Sequence, residues 1–355
     1  MKIAHIDDES WDSGLTEYAL SLAKAQAEAG HEIRFFAPAG SHAEGKAAKY
    51  GLKTVCFPKN KLGSAGAMRA IVSFRPEVIN AHTGSSHSWA AVMTAFLSGK
   101  TALIRTRADA RPVRKKPFSS MLWGRTAGFI GANSRITEEF RSVFGGRPRS
   151  AVILQGIADC AAKPAPKTPG APTIGIIGRL DPVKGHECAI KAFALLSKEL
   201  PQARLRIAGE DKNVKAADLK ALCGKLGVAD RTEFYGLLPD IEAFMAGCDA
   251  GMVPSLGSEA VSRSAIEWQR AGRPVLASRV GGMEDLVENG ETGILLPPGD
   301  EQALSAATLR VLASPGKARE MGAASRARYE ALFTVNKFAG DTISFYESTL
   351  RDTAR

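Results

Sequence analysis

Residues 253–278 run Val253-Pro254-Ser255-Leu256-Gly257-Ser258-Glu259, then seven residues, then Glu267, then Gly272-Arg273-Pro274-Val275-Leu276-Ala277-Ser278. Val253-Pro254 closes an apolar strand, 262–270 is patterned as a helix, and 274–277 is the next apolar strand. Continuous apolar strands joined through helices belong to a parallel sheet covered on both faces. The corner also brings two carboxylates to a helix start. Eight positions at ~1.5 Å rise put Glu259 and Glu267 roughly 12 Å apart along the axis if the whole interval is helical. The first N–H groups of a helix lack intrahelical partners and attract phosphate. An acid at each end of such a site suits the hydroxyls of two sugars flanking a diphosphate. The plain alternative is two surface glutamates on one helix.

The same alternation runs outward in both directions. In the first half, strands are read at 3–6, 32–37, 78–81, 102–106, 129–132 and 151–154. Helices are read at 15–29 (closed by Gly30), 65–74, 88–97 and through Val143, the last capped by Ser134. A proline-rich stretch, 163–172, suits an interdomain connection. Alternation then restarts with strands at 173–177, 204–208, 233–235, 250–253, 274–277 and 293–296. Helices at 186–200, 218–226, 241–246 and 262–270 lie between them, and helices beginning at 301, 316 and 335 finish the chain. The expected fold class is α/β, with two doubly wound Rossmann-like domains at 1–160 and 161–334, followed by a terminal helix at 335–355. Ligands of such sheets bind beyond the carboxyl ends of the strands.

Composition narrows the classes. A chain of 355 residues with 45% hydrophobic content suits two folded domains rather than disorder. No apolar run approaches the ~20 residues of a spanning helix. The opening Met1-Lys2-Ile3-Ala4-His5-Ile6-Asp7-Asp8-Glu9 turns acidic where a signal peptide is apolar, and is expected to be a first strand. The five cysteines are scattered and form no Cys-x-x-Cys, and the six histidines show no ligand spacing. Reduced thiols in a cytoplasmic protein are expected, with neither a disulfide frame nor a metal site.

Charge is uneven. Residues 1–160 carry 22 Lys and Arg against 13 Asp and Glu, whereas residues 161–355 carry 25 against 24. The excess gathers at Arg105, Arg107, Arg111, Arg114, Lys115, Lys116 and Arg125. Such a run attracts anionic lipid headgroups or phosphorylated glycans, or is simply a solvated face. Nucleic acid is disfavoured, because no aromatic interleaving or recognition signature accompanies it.

Gly178-Arg179-Leu180-Asp181-Pro182-Val183-Lys184-Gly185-His186 follows the first strand of the second half. A guanidinium fork and a mobile ammonium five residues apart at that corner can converge on a diphosphate. Further along come the Glu-x7-Glu pair, Gly281-Gly282-x-x-Asp285, Asn289-Gly290-x-Thr292-Gly293 and Leu296-Pro297-Pro298-Gly299-Asp300. In that order the set resembles the retaining GT-B glycosyltransferases of family 4 (group 1 glycosyltransferases), like those of bacterial lipopolysaccharide and surface-polysaccharide synthesis. The resemblance covers the second domain. The first is similar in outline, with Ser13-Gly14 where the family has a Gly-Gly loop.

The resemblance implies two domains facing across a cleft, with the terminal helix returning to the first. It implies that Arg179 and Lys184 hold the donor diphosphate, that Glu267 takes the ribose hydroxyls, and that Glu259 sits at the transferred sugar. The backbone of Ala260, Val261 and Ser262 lies near sugar and phosphate, and Gly14 belongs to the donor site. A first-domain histidine faces the sugar; the candidates are His82 and His87, with His82, directly ending a strand, preferred. Thr106-Arg107-Ala108-Asp109 resembles the Arg-Thr-Arg stretch of surface-polysaccharide enzymes. Arg105, Arg107, Asp109, Ser85 and Ser86 are therefore expected at the acceptor. Trp89 reads as core.

The chain departs from the family where Glu-Gly-Phe-Gly becomes Glu259-Ala260-Val261-Ser262, followed by Arg263, and where Gly84 replaces a second histidine. The larger side chains narrow the expected sugar pocket, and Arg263 suits an anionic group. The expected activity is retaining transfer from a nucleotide-sugar, UDP-sugar foremost, to a glycan or lipid-linked anionic acceptor in envelope polysaccharide synthesis. No cofactor and no metal are expected; membrane contact is expected to be peripheral, at the inner face of the plasma membrane. The alternatives are a sugar-nucleotide epimerase of the same fold and a non-catalytic glycan- or lipid-binding protein. A dehydrogenase is disfavoured, since no Gly-x-Gly-x-x-Gly follows the first strand.

Overall fold

The computed structural model describes residues 1–11, 13–59, 63–97, 101–115, 119–160, 167, 170–257 and 259–353. Lys116, most of the proline-rich 163–172 stretch and Ser258 lie outside the described residues. The chain divides into two compact units, residues 1–157 with 334–355, and residues 158–333.

Unit 1 contains β1 (Lys2–Ile6), α1 (Gly14–Glu28), β2 (Glu32–Pro38), α2 (His42–Lys49), β3 (Thr54–Phe57), α3 (Ala65–Phe74) and β4 (Val78–Ala81). It continues with α4 (Gly84–Met93), β5 (Ala102–Arg107), α5 (Ser119–Gly124), β6 (Gly128–Gly131), α6 (Ser134–Phe144) and β7 (Arg149–Val152). Unit 2 contains β8 (Thr173–Ile177), α7 (His186–Glu199), β9 (Arg204–Ala208), α8 (Ala216–Lys225), β10 (Thr232–Phe234), α9 (Ile241–Ala246) and β11 (Ala250–Val253). Then follow α10 (Arg263–Arg270), β12 (Val275–Ser278), α11 (Met283–Leu286), β13 (Gly293–Leu296), α12 (Glu301–Leu312) and α13 (Pro315–Leu332). The last helix, α14 (Val335–Thr353), belongs to unit 1.

The strand order is β3-β2-β1-β4-β5-β6-β7 in unit 1 and β10-β9-β8-β11-β12-β13 in unit 2. Every pairing in both sheets is parallel. The order reverses between β1 and β4 and again between β8 and β11, and a crevice opens at such reversals beyond the strands' carboxyl ends. Each unit is thus an α/β Rossmann-like body, as expected.

Glycines set the close approaches in unit 2. Trp268 of α10 is fully buried against β8 and β11, where a Cβ on Gly175 or Gly251 would come within 2.6 or 2.1 Å of its ring. In unit 1, α14 packs on α1 and β5. Tyr346 accepts a 2.6 Å hydrogen bond from Asn80 Nδ2, and Phe338 meets Tyr18 edge-on at 4.7 Å. The apolar face of α14 is therefore occupied inside unit 1, the return to the first domain that the resemblance implies. Among the described residues no helix is long and apolar enough to cross a bilayer.

Local chemistry moved several boundaries. The helix expected at 88–97 begins at Gly84, because Thr83 and Ser86 form a reciprocal capping box. Asn133, not Ser134, caps α6, its Oδ1 accepting from Ile136 N–H at 2.8 Å. α10 starts at Arg263 with Ser262 before it, so Glu259 sits in the loop and the interval to Glu267 is not wholly helical.

Candidate functional site

In unit 2 the site residues gather where β8 and β11 part. The loop after β8 carries Arg179 and Lys184, and the loop after β11 carries Ser255 and Glu259. Lys184 Nζ donates to Glu259 Oε1 at 2.6 Å, and Ser255 Oγ donates to the same oxygen at 2.5 Å. The carboxylate is 2% exposed, whereas the ammonium is partly open to solvent. Arg179 is exposed and forms no ion pair with the described residues.

Two glycines fix this corner. Gly185 has φ +71°, and a Cβ there would lie 1.9 Å from Pro254 O. Gly281, at φ +59°, lies against the Glu259 carbonyl, with a hypothetical Cβ 2.0 Å away. Gly282 N–H donates to that carbonyl at 2.8 Å. The Gly-Gly motif thus packs directly on the backbone of Glu259.

Four residues into α10, buried Glu267 accepts from Arg263 Nε at 2.8 Å. Ala260 and Ser262 are buried and Val261 is half-buried. Ser262 makes no side-chain cap, so the first N–H groups of α10 are not satisfied by it. Beside the corner, a cavity of about 370 Å³ lies at the carboxyl edge of β8, β9 and β10, lined by Leu180, Gly209, Glu210, Phe234, Gly236 and Leu237 among others.

In unit 1 the corresponding reversal lies between β1 and β4. His5 Nε2 bonds to Gln26 Oε1 at 2.7 Å, and His5 Nδ1 to His82 Nε2 at 3.0 Å. With Gln26 accepting, His5 Nδ1 must accept as well, so His82 donates through Nε2. Burial pushes His5 down to about 4 and holds His82 well below the usual imidazole range, so both rings are neutral. His87 is also buried, bonded to Thr126 Oγ1 at 2.7 Å and packed on Trp123 at 4.7 Å, and burial pushes it down to about 3.

Asp7 directly follows β1 and is fully buried, and desolvation raises its carboxyl to about 7. Its neighbour Asp8 accepts from the hydroxyls of Thr83 and Ser85, tying the β1 loop to the start of α4. Ser86 is buried in the capping box, its Oγ accepting from Thr83 N–H at 3.0 Å. Gly14 begins α1 with open space around its Cα, behind the Ser13 cap. Trp89 packs against the core of unit 1, as expected.

A cavity of about 950 Å³ opens between α4, β5 and α5. Ser85, Arg105, Arg107 and Asp109 line it, and Ser86 does not. Arg107 and Arg111 both pair with Asp109 at 3.2 Å. Burial pushes Asp109 up, but the two guanidiniums outweigh it and hold the carboxyl below its ordinary range. Burial pushes Arg105 down to about 10. Among the described residues, no three His, Cys, Asp or Glu side chains converge as a metal-binding group.

Sequence reasoning passed over Asp8, Ser255, His5 and Gln26. Asp8 stood in plain view in an acidic run after a strand. The others act through partners between 4 and 77 residues away, which no local pattern reports.

Residues 161–328 match the family described as glycosyl transferases group 1, and residues 13–158 match glycosyltransferase family 4. The chain belongs to the group 1, family 4 glycosyltransferases. Among relatives, a 2-deoxystreptamine glucosyltransferase of Streptomyces kanamyceticus is 33% identical over 51% of this chain and 46% of its own length. A glycogen synthase of Mycobacterium tuberculosis is 32% identical over 62% of this chain and 54% of its own. The chain spans about half the length of these curated relatives. Among solved structures, Anabaena HepE in complex with UDP has a TM-score of 0.84 at 21% identity, covering 98% of this chain and all of that one. The lipopolysaccharide outer core galactosyltransferase WaaB has a TM-score of 0.77 at 17% identity, over 98% of this chain and 100% of that one. These likenesses give the GT-B fold to this family member.

Proposed function

We propose that this protein is a retaining glycosyltransferase that moves a sugar from a nucleotide-sugar, UDP-sugar foremost, to an anionic or lipid-linked glycan acceptor of the bacterial envelope. The observation that carries this reading is the cluster of Lys184, Glu259 and Ser255 at the β8/β11 reversal, with Glu267 held in the first turns of α10. Unit 2 takes the donor. Lys184 leaves Glu259 for the diphosphate, joined there by Arg179 and the N–H groups at the start of α10. Freed of its counter-charge, Glu259 accepts from a sugar hydroxyl, and Glu267 accepts from the ribose.

The chemistry asked of the protein is modest. The departing phosphate takes the acceptor's proton on the face where the new bond forms, and the basic residues stabilise charge developing on the diphosphate. Held neutral by burial, His82 serves as a hydrogen-bonding partner of the sugar rather than a general acid. Unit 1 takes the acceptor through Arg105, Arg107 and Ser85. The work is placed in the cytoplasm with electrostatic contact at the inner membrane face, and needs no metal or cofactor.

Calorimetry with UDP, GDP, ADP and CMP tests the donor half, and NMR of the product's anomeric configuration tests retention. Binding of UDP with an axial-to-axial or equatorial-to-equatorial outcome supports the reading. Absence of binding by every nucleotide removes the transferase assignment in favour of a non-catalytic binding protein. Conversion of the donor sugar without any acceptor favours the epimerase.

A further inference from the structure

Arg105 presents an unbalanced charge. Its side chain is 6% exposed, and its Nη1 donates to the carbonyls of Ala81, at 3.1 Å, and of Thr106. Among the described residues no carboxylate lies within ion-pair distance, and Nε and Nη2 have no protein acceptor. Asp109 and Asp8 oppose its charge only at longer range, and a buried charge without a direct counter-charge is disfavoured. Its neighbour Arg107 pairs with Asp109 through Nη2 but has a buried Nε that no acceptor meets. Asp109 is shared between Arg107 and Arg111, so the group keeps an excess of positive charge.

Both residues line the 950 Å³ cavity together with Asp109, Arg111, Arg114 and Arg125, and most of its remaining wall is apolar. Trp123, Phe129 and Phe140 form an aromatic floor: Phe129 and Phe140 stack at 3.9 Å, and Trp123 meets Phe140 tilted at 4.9 Å and Phe129 edge-on at 5.9 Å. Val92 and Met121 stand exposed at its edge, 55% and 66% open to solvent. Cavities for small ligands run roughly 300–1,000 Å³. One side of this one calls for an anion, and the other for hydrocarbon.

We propose that the cavity between α4, β5 and α5 binds an amphiphilic phosphate, its anionic head on Arg105 and Arg107 and its apolar chain on the Trp123 floor. A phosphate-headed lipid meets both requirements at once, whereas free phosphate or a phosphorylated sugar meets only the first. That this ligand is the carrier of the acceptor rests on the transferase reading above; the binding itself does not.

The test is calorimetry on the full chain with monodecyl phosphate below its micellar range, beside decanol, inorganic phosphate and a hexose phosphate. Monodecyl phosphate is expected to bind at least tenfold more tightly than each of the other three. Ser88→Trp, an exposed position on the cavity wall, is expected to block it at least tenfold while UDP affinity stays unchanged. Arg105→Gln is expected to lower affinity for monodecyl phosphate to that for decanol. Equal binding of hexose phosphate and monodecyl phosphate overturns the apolar half. Unchanged monodecyl phosphate binding in Ser88→Trp overturns the location, even if Arg105→Gln fails to fold. UDP titrations of the same samples separate the two ideas: lost UDP binding with intact amphiphile binding defeats the transferase reading alone, and the converse defeats only this one.

Discussion

Lys184 and Glu259 form a contact that must break for the proposed chemistry to begin. The ammonium is its partner's counter-charge while the site is open, and the diphosphate's afterwards. Lys184→Ala therefore acts twice. It leaves a carboxylate that is 2% exposed with Ser255 as its hydrogen-bond donor, at a cost of about 1–3 kcal/mol in stability. It also removes a charge-assisted bond to phosphate, weakening nucleotide binding by about 1.5–3 kcal/mol. Adding Glu259→Gln is expected to recover most of the stability and none of the affinity, measured by urea unfolding and calorimetry. A double variant that regains nucleotide affinity would remove Lys184 from the diphosphate. Both residues were legible in the sequence, because their motifs place them at strand-to-helix corners. Their pairing was not, since 75 positions separate them. Ser86 erred the other way: a hydroxyl beside a predicted site residue looked available, yet helix capping claims it.

At the level of elements, the positions of loops depend on glycines that the long helices do not reveal. Gly281→Ala places a methyl group 2.0 Å from the Glu259 carbonyl at a backbone angle of +59°. The loop must shift, so stability is expected to fall by roughly 1–3 kcal/mol, with a loss of donor affinity beside it. Gly290 is the control, since it has a positive φ of +91° and open space around it. Gly290→Ala should cost stability of about 1 kcal/mol and leave donor binding untouched. Equal donor affinity in both variants would detach Gly281 from the site. Thr83→Ala removes the side-chain cap of α4 and one tie to Asp8, and is expected to cost about 0.5–2 kcal/mol in thermal unfolding experiments. These caps explain where the sequence reading slipped. Long periodic helices such as α7 and α12 were evident, but α4 was read four residues late because its first turn is polar. α2 buries only Ala43 and Ala47, too faint a stripe to see.

Across the whole molecule, the doubly wound sheets could be read from alternation alone, and both clusters fall where strand order reverses. The large cavity could not be read, because α4, β5 and α5 contribute its walls from separate stretches of chain. Nor could the burial of charge, which gives the protein a definite response to acid. Burial pushes His5, His87 and His186 to about 4, 3 and 4, all below the ordinary imidazole value of about 6.5. Below about pH 6.5 the unfolded chain takes up protons that the folded chain refuses. Each such histidine then removes about 1.4 kcal/mol of stability per pH unit until its folded value is reached. Asp7 acts in the opposite sense. Its carboxyl is raised to about 7, so the folded state holds a proton the unfolded state has released, and its contribution is lost as pH rises toward 7. The histidines outnumber it, so the melting temperature is expected to fall steeply from pH 6.5 to pH 4 in both units. Asp7→Asn keeps the neutral form at every pH. It is expected to stabilise unit 1 by roughly 1–4 kcal/mol at pH 8 and by nothing near pH 4, steepening the acid limb. Melting curves of wild type and variant across pH 4–8 read this directly, and an equal effect of Asp7→Asn at both ends would mean that the carboxylate is not protonated in the folded protein.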